Sequence, residues 1–355
     1  MAKGSYTKHH ESPDGPGDAR PTAAQIIKDL DLVDKLSDKT ILVTGGTDGL
    51  GKDTVRQLAK TGAHVFFTAR NPAKADKVLQ EFADEGKTDL DLKHARIEWI
   101  EMDNNSLKSV KAGAEDFLKR SDRLNVLLCN AAIGNVPYHK SEDGFEGTFA
   151  INHLAHVALF QYLKDILLKS SSPSFQSRVV VVASAAHGFS SVHFGNLDQK
   201  QPIKPMIPLL AIDGPYNPII SYGQSKTANI WFANEIDRRY GSKGLRAVSL
   251  HPGAIRTPGF HKQDPRVLAI FDVMMASDAA QKSFKSIQQG AATQVWAAVS
   301  KDLEGKGGVY LEDCGQAEAA VQGASGGYQP WAFDEAGQKR LWAESLEMVG
   351  MKEDE

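Results

Sequence analysis

From about residue 40 to residue 315, short apolar runs alternate with longer stretches in which apolar residues recur at helical spacing. The runs are TILVTG at 40–45, HVFFTAR at 64–70, RIEWIEMD at 96–103, NVLLCNAA at 125–132, RVVVVAS at 178–184, LRAVSLHPG at 245–253 and GVYLED at 308–313. Near-continuous apolar character marks strands buried on both faces, and the amphipathic segments between them mark helices that cover those faces. KDTVRQLAKTG, SLKSVKAGAEDFLKR, FAINHLAHVALFQYLKDILLKS and QSKTANIWFANEIDRRYG have this second character. The pattern predicts one α/β, doubly wound domain over residues 39–330, with a mostly parallel seven-stranded sheet between two helix layers. No repeat of fixed period runs through it, which excludes a solenoid.

The flanks and two inner segments depart from this rhythm. Residues 1–20, with Pro13, Gly15, Pro16 and Gly17, are expected to form a disordered tail, and residues 21–38 a leading helix bearing Ile26, Ile27, Leu30 and Leu32. Five prolines in residues 200–219 exclude a regular helix or central strand there and predict a long ordered insert. Residues 258–290, with Phe260, Phe271, Met274 and Met275, suit a pocket cover, although core packing is the commoner use of such side chains. Residues 331–355 predict a C-terminal helix carrying Leu341, Trp342, Leu346 and Met348, followed by a tail.

Composition narrows the class. With 355 residues, 41% of them hydrophobic, the chain can bury a sizeable core. Its 44 acidic and 41 basic residues give a net charge of −3, so no global field argues for nucleic acid or an anionic membrane surface as a partner. Two cysteines, Cys129 and Cys314, suit a reducing compartment and read as packing residues. The N-terminus lacks the apolar core of a secretory signal, and no apolar window reaches the roughly 18 residues of a membrane span. A cytoplasmic protein is expected.

The first strand runs into TGGTDGLGKD, with Thr44, Gly45, Gly49 and Gly51 ahead of a helix. Glycines at a strand-to-helix turn let the backbone take unusual torsions and let a pyrophosphate approach the helix N-terminus. The spacing is TGxxxGxG, and with it the chain resembles the short-chain dehydrogenase/reductase family, whose Rossmann-type fold opens its cofactor site with that loop. The resemblance places Gly45, Thr47, Asp48, Gly49, Leu50 and Gly51 at a dinucleotide. At the end of the second strand Arg70 stands where an acidic residue would hold the ribose of NAD, and a guanidinium there favours the 2′-phosphate of NADP(H) over NAD(H). Asp103 falls at the family's adenine contact.

The fourth strand ends in CNAAIGN, whereas the family's usual form is Asn-Asn-Ala-Gly; Asn130 and Ala131 remain. The Cys-Asn-Ala-Ala version resembles the branch of retinol dehydrogenases, WW-domain oxidoreductase and protochlorophyllide reductases. FAINHLAHVALF matches that branch's helix, with Asn152 at the position of the catalytic asparagine. Ser184 ends the fifth strand, and Tyr222 and Lys226, four apart in ISYGQSK, share a helix face. Carbonyl reduction needs hydride at carbon and a proton at oxygen, and a nearby ammonium lowers the pKa of a phenol that must give that proton.

The resemblance thus implies Tyr222 as acid/base, Lys226 as its tuner and a ribose ligand, and Ser184 on the substrate oxygen. It further implies Pro252 and Gly253 as a turn after which Ile255 and Thr257 hold the nicotinamide carboxamide. Tyr216 competes for the donor role but has Ile220 at the lysine position. His187, Phe189 and Tyr216 are candidate substrate contacts by position. The histidines form no metal-ligand pattern. The expectation is an NADPH-dependent oxidoreductase acting on the carbonyl or alcohol of a fairly large apolar small molecule. A catalytically silent dinucleotide-binding scaffold is the other class, and the family allows a homodimer or homotetramer through the helices near Asn152 and Tyr222.

Overall fold

The structure, a computed structural model, describes residues 6–259, 263–321 and 326–353. Its helices are α1 (Thr7–His10), α2 (Ala23–Asp29), α3 (Gly49–Ala59), α4 (Pro72–Glu85), α5 (Leu107–Arg120), α6 (Gly147–Phe149), α7 (Ala155–Ser170), α8 (Pro218–Tyr240), α9 (Pro265–Met274), α10 (Asp278–Ser283), α11 (Ile287–Val299) and α12 (Glu335–Met348). The strands are β1 (Thr40–Val43), β2 (His64–Ala69), β3 (Arg96–Glu101), β4 (Val126–Cys129), β5 (Ser177–Val182), β6 (Leu245–His251), β7 (Val309–Glu312) and β8 (Gly315–Gln316).

They form one sheet in the order β3-β2-β1-β4-β5-β6-β7-β8, parallel except for the final β7–β8 pair. The seven strands expected from apolar runs are all present; the eighth escaped because two residues carry no periodicity. Alternation along each strand divides the core in two. Ile41, Val43, Val180, Val182, Val248 and Leu250 face α2, α3, α4 and α11, while Leu42, Val179, Val181 and Ala247 face α5, α7 and α8. Local chemistry starts several helices: Asn71 caps α4 and Asn217 caps α8, each followed by proline at the first helical position, where its missing N–H costs nothing.

Residues 6–20 correct an expectation. Their Pro/Gly content argued for disorder, yet they lie against the body of the protein because Arg20, 5% exposed, is an anchor that composition does not reveal. Its guanidinium donates to the carbonyls of Ser283 (2.8 Å) and Phe284 (2.6 Å) and pairs with Asp18 (2.9 Å). The Gly17 amide donates to Gln289 (2.9 Å), on the first turn of α11. Of the leading segment, only residues 23–29 are helical.

The insert at 200–219 holds a single short turn, Pro208–Leu210, and packs Leu210 and Ile219 against Val267 of α9. In the segment expected as a pocket cover, Phe271 and Met274 of α9 join this apolar cluster; Phe260 lies outside the described residues. At the C-terminus α12 covers α7 and α8, where Trp342 stacks on Phe232 (6.1 Å, 27°) beside Phe160 (6.2 Å). No helix among the described residues is long and apolar enough to cross a membrane.

Removing a buried guanidinium orphans several carbonyls, at about 1.5–3 kcal/mol for each charge-assisted bond. Arg20→Ala is expected to lower the urea-unfolding free energy by about 3 kcal/mol. Arg20→Lys should recover only part of it, because an ammonium cannot span the same carbonyls.

Candidate active site

The site lies beyond the C-terminal ends of β1, β4, β5 and β6, where the strand order reverses between β1 and β4. The glycine loop after β1 is fixed by contact distances. A Cβ on Gly51 would sit 2.1 Å from the Gly45 carbonyl, and one on Gly46 2.4 Å from Phe67. Gly45 and Gly49 hold φ of +72° and +53°, the left-handed region that favours glycine. Asp48 caps α3 through the Gly49 amide (2.9 Å) and takes an exposed ion pair from Lys74 (3.2 Å). Leu50 and Ile255 both press on Gly290 of α11, where a Cβ would lie within 2.8 Å of either.

Asn130 locks this loop to β4. Its amide nitrogen donates to the carbonyls of Thr44 (2.9 Å) and Gly45 (3.3 Å), and its oxygen accepts from Gln294 (3.1 Å). Ala131 touches the Gly45 position from the same side. Gln294 and Thr54, themselves bonded (2.7 Å), form a buried brace that the sequence reading missed; polar residues inside α11 were its only signal. Arg70 stands exposed at the end of β2, without a hydrogen bond or ion pair to any described residue. Asp103, past β3, accepts from the Asn105 amide (2.9 Å).

Ser184 leaves β5 in extended conformation and caps the short turn Ala185–Phe189. The Tyr222 phenol lies close enough to Ser184 for that side chain to favour its ionised form. Tyr222 lies against Gly134, where a Cβ would come 3.0 Å from its ring, and the next residue, Gly223, meets the Ala186 carbonyl at a Cβ distance of 2.7 Å. Glycine at 223 thus lets α8 close on the turn after Ser184, a role invisible in the sequence. Lys226 is buried, 5.4 Å from the Tyr222 ring centroid, and donates to the Val182 carbonyl (2.9 Å).

Asn152 occupies a π-helical turn, Ala150–Leu154, that joins α6 to α7. Its oxygen accepts from the Ile133 amide (2.9 Å), and its nitrogen donates to the Ile133 carbonyl (2.8 Å) and Ser225 (3.0 Å). Single π turns of this kind often re-aim a functional side chain. Pro252 is buried, Gly253 has φ +105°, and a Cβ on Gly49 would lie 3.8 Å from Thr257, so the turn after β6 comes close to the glycine loop.

Electrostatics differ from the simple expectation of a phenol lowered by lysine. Burial raises the Tyr222 pKa, and the nearby Ser184 side chain opposes this. Burial also pushes Lys226 down to about 7, so its charge is half lost near neutrality. Two expected substrate contacts are turned inward. His187 donates from Nδ1 to the Ser184 carbonyl (2.7 Å) and accepts at Nε2 from Gln329 (3.1 Å), leaving no free ring nitrogen. Tyr216 donates to the buried Glu146 carboxylate (2.8 Å), and burial beside that charge raises its pKa strongly. Phe189 lies on the apolar cluster of α9 and the insert.

The loop's close backbone approaches, which a Cβ would fill, fit a dinucleotide, and the polar cluster beside it fits carbonyl–alcohol chemistry. Residues 39–196 match the family model described as short chain dehydrogenase. The chain is 44% identical to short-chain dehydrogenase/reductase prx1 of Penicillium roqueforti, over 99% of this chain and 96% of that one. It is 35% identical to the WW domain-containing oxidoreductase of Danio rerio, over 94% of this chain and 72% of that one. An NADPH-bound carbonyl reductase from chicken fatty liver shares the fold, with TM-score 0.54 and 20% identity over 79% of this chain and 99% of that one. The chain belongs to the short-chain dehydrogenase/reductase family of oxidoreductases.

Lys226 has a thermodynamic signature. Folded, it gives up its proton near pH 7; unfolded, it keeps it to about 10.4. Between those values the unfolded chain binds more protons, so stability rises with pH, and this contribution is lost as pH falls through 7. Lys226→Met is expected to flatten the rise between pH 7 and 9, read from urea-unfolding free energies of both proteins without cofactor.

Proposed function

We propose that the protein is an NADPH-dependent oxidoreductase of carbonyl/alcohol type acting on a fairly large apolar organic molecule, with Tyr222 as general acid/base. The observation that carries this reading is the nearness of Ser184 to the Tyr222 phenol, with Lys226 buried behind the phenol at the edge of the sheet that also holds the glycine loop. The bound dinucleotide would supply or accept the hydride. Residues 45–51, Asn130 and Ala131 would hold it, Ile255 and Thr257 its carboxamide, and Lys226 its ribose. Arg70, without a partner among the described residues at the end of β2, suits a 2′-phosphate, since a guanidinium offers two parallel donors to phosphate oxygens.

The chain's own groups account for the proton. Ser184 donates its hydroxyl to the substrate oxygen and holds it beside the phenol. As negative charge grows on that oxygen, Tyr222 gives it a proton and becomes phenolate. Lys226, poised near its own midpoint, supplies the positive charge that stabilises phenolate in a poorly solvated site. Asn152 keeps the Ile133 segment and Ser225 of α8 in register beside Tyr222. Phe189, Ile212, Phe271 and Met274 form an apolar surface with the insert, which supports an apolar substrate.

Tyr222→Phe is expected to lower kcat by at least about 10³-fold while leaving NADPH binding intact, measured as NADPH oxidation with a panel of ketones, aldehydes and quinones. Wild-type protein that binds NADPH yet turns over no member of the panel would favour the scaffold reading. Arg70→Ala should weaken NADPH by about 10-fold or more and leave NADH unchanged, because only NADPH carries the 2′-phosphate. Fluorescence titration with both cofactors reads the difference.

A further inference from the structure

His156, on the first turn of α7, is 1% exposed and lies between the glycine loop and the Asn152 turn. Its Nδ1 is 2.9 Å from the Asn152 carbonyl, and its Nε2 is 2.9 Å from the Thr44 hydroxyl and 3.4 Å from the Asn104 amide nitrogen. A carbonyl only accepts, so the ring proton sits on Nδ1 and Nε2 is the acceptor. The Thr44 hydroxyl therefore donates to Nε2. Its oxygen is left to accept the amides of Asn130 and Ala131, both at 2.9 Å. Burial pushes the imidazole pKa down to about 4, so the neutral tautomer is the working form.

Every proton in this chain of bonds has one direction. Through Thr44 and Asn130, Nε2 supports the backbone of the glycine loop; through the Asn152 carbonyl, Nδ1 supports the turn whose side chain holds Ile133 and Ser225. We propose that His156 is a positioning residue that couples the dinucleotide loop to the Asn152 turn, each ring nitrogen serving one side. It touches neither substrate nor cofactor, and it acts by holding two backbone segments in one arrangement, as a supporting shell holds a site in register.

The two nitrogens can be removed separately. In His156→Gln the Oε1 atom stands near the place of Nε2 and can accept from Thr44, while the donor to Asn152 is lost. In His156→Asn the Nδ2 atom stands near the place of Nδ1 and can donate to Asn152, while the acceptor for Thr44 is lost. The expected results cross. His156→Asn weakens NADPH binding at least about 10-fold, with faster hydrogen–deuterium exchange at residues 130–131. His156→Gln lowers kcat at saturating cofactor more than it weakens NADPH, with faster exchange in residues 150–156. His156→Leu shows both losses.

Equal losses in both variants, in proportion to a fall in thermal stability, would reduce His156 to a packing residue and overturn the proposal. So would unchanged affinity and exchange in both. The turnover arm rests on the function proposed above, whereas fluorescence titration and exchange need no substrate. A wild-type protein without turnover would therefore refute that function and leave this test standing.

Discussion

The closeness of backbone to backbone at the exit of β1 is the constraint on which the site depends. With 2.1 Å between the Gly45 carbonyl and a Cβ on Gly51, no side chain is admissible there, and α3 starts directly under the loop. That crowding leaves the carbonyls of Thr44 and Gly45 to be satisfied sideways, by Asn130 at the end of the neighbouring strand. Asn130 is in turn held by Gln294 from α11, and Gln294 by Thr54 of α3. A short strand exit is thus enclosed by polar side chains from three directions. A buried polar network of this kind is stable only when each member is satisfied.

A second constraint is electrical. Lys226 and Tyr222 are both disfavoured as ions by burial, one shifted down and the other up, so the protein alone holds them near neutrality. A pair so arranged stores little charge at rest and responds strongly when charge develops nearby, because the surrounding dielectric is low. The histidines around it do not disturb this balance. His153 and His251 are pushed down to about 3 and His156 to about 4, so all three are neutral at physiological pH and act as fixed hydrogen-bonding groups.

The central strands were legible because both of their faces are buried, which forces runs such as VVVV at 179–182. The loop glycines, Asn130, Asn152, Ser184, Tyr222 and Lys226 were singled out by the motifs of the family resemblance. Gly223, Gln294 and His156 were not, since each matters through a contact remote in sequence: Ala186 for the first, Asn130 for the second, Thr44 for the third. The order of residues 6–20 was hidden for the same reason. Local composition there speaks for disorder, whereas the carbonyls of Ser283 and Phe284, at the end of α10, give Arg20 partners remote in sequence. His187 and Tyr216 were misjudged in the opposite sense: nearness in sequence to Ser184 and Tyr222 suggested substrate contact, while buried partners claim their polar atoms.

The long gap between Ser184 and Tyr222 also gains a physical account. Gln199 and Asn217 bracket the proline-rich insert and bond to one another, the Asn217 amide to the Gln199 oxygen (3.0 Å) and the Gln199 nitrogen to the Asn217 carbonyl (3.3 Å). The Asn217 side chain also accepts from Ile219 (3.0 Å) and donates to the Leu210 carbonyl (2.7 Å). The insert is therefore closed at its base, and the start of α8 is set by Asn217 rather than by the path of the prolines. Tyr222, just over one turn beyond that cap, keeps its place whatever the insert carries. Long surface loops cost little extra entropy once their ends are joined, so changes within the insert need not move Ser184, Tyr222 or Lys226.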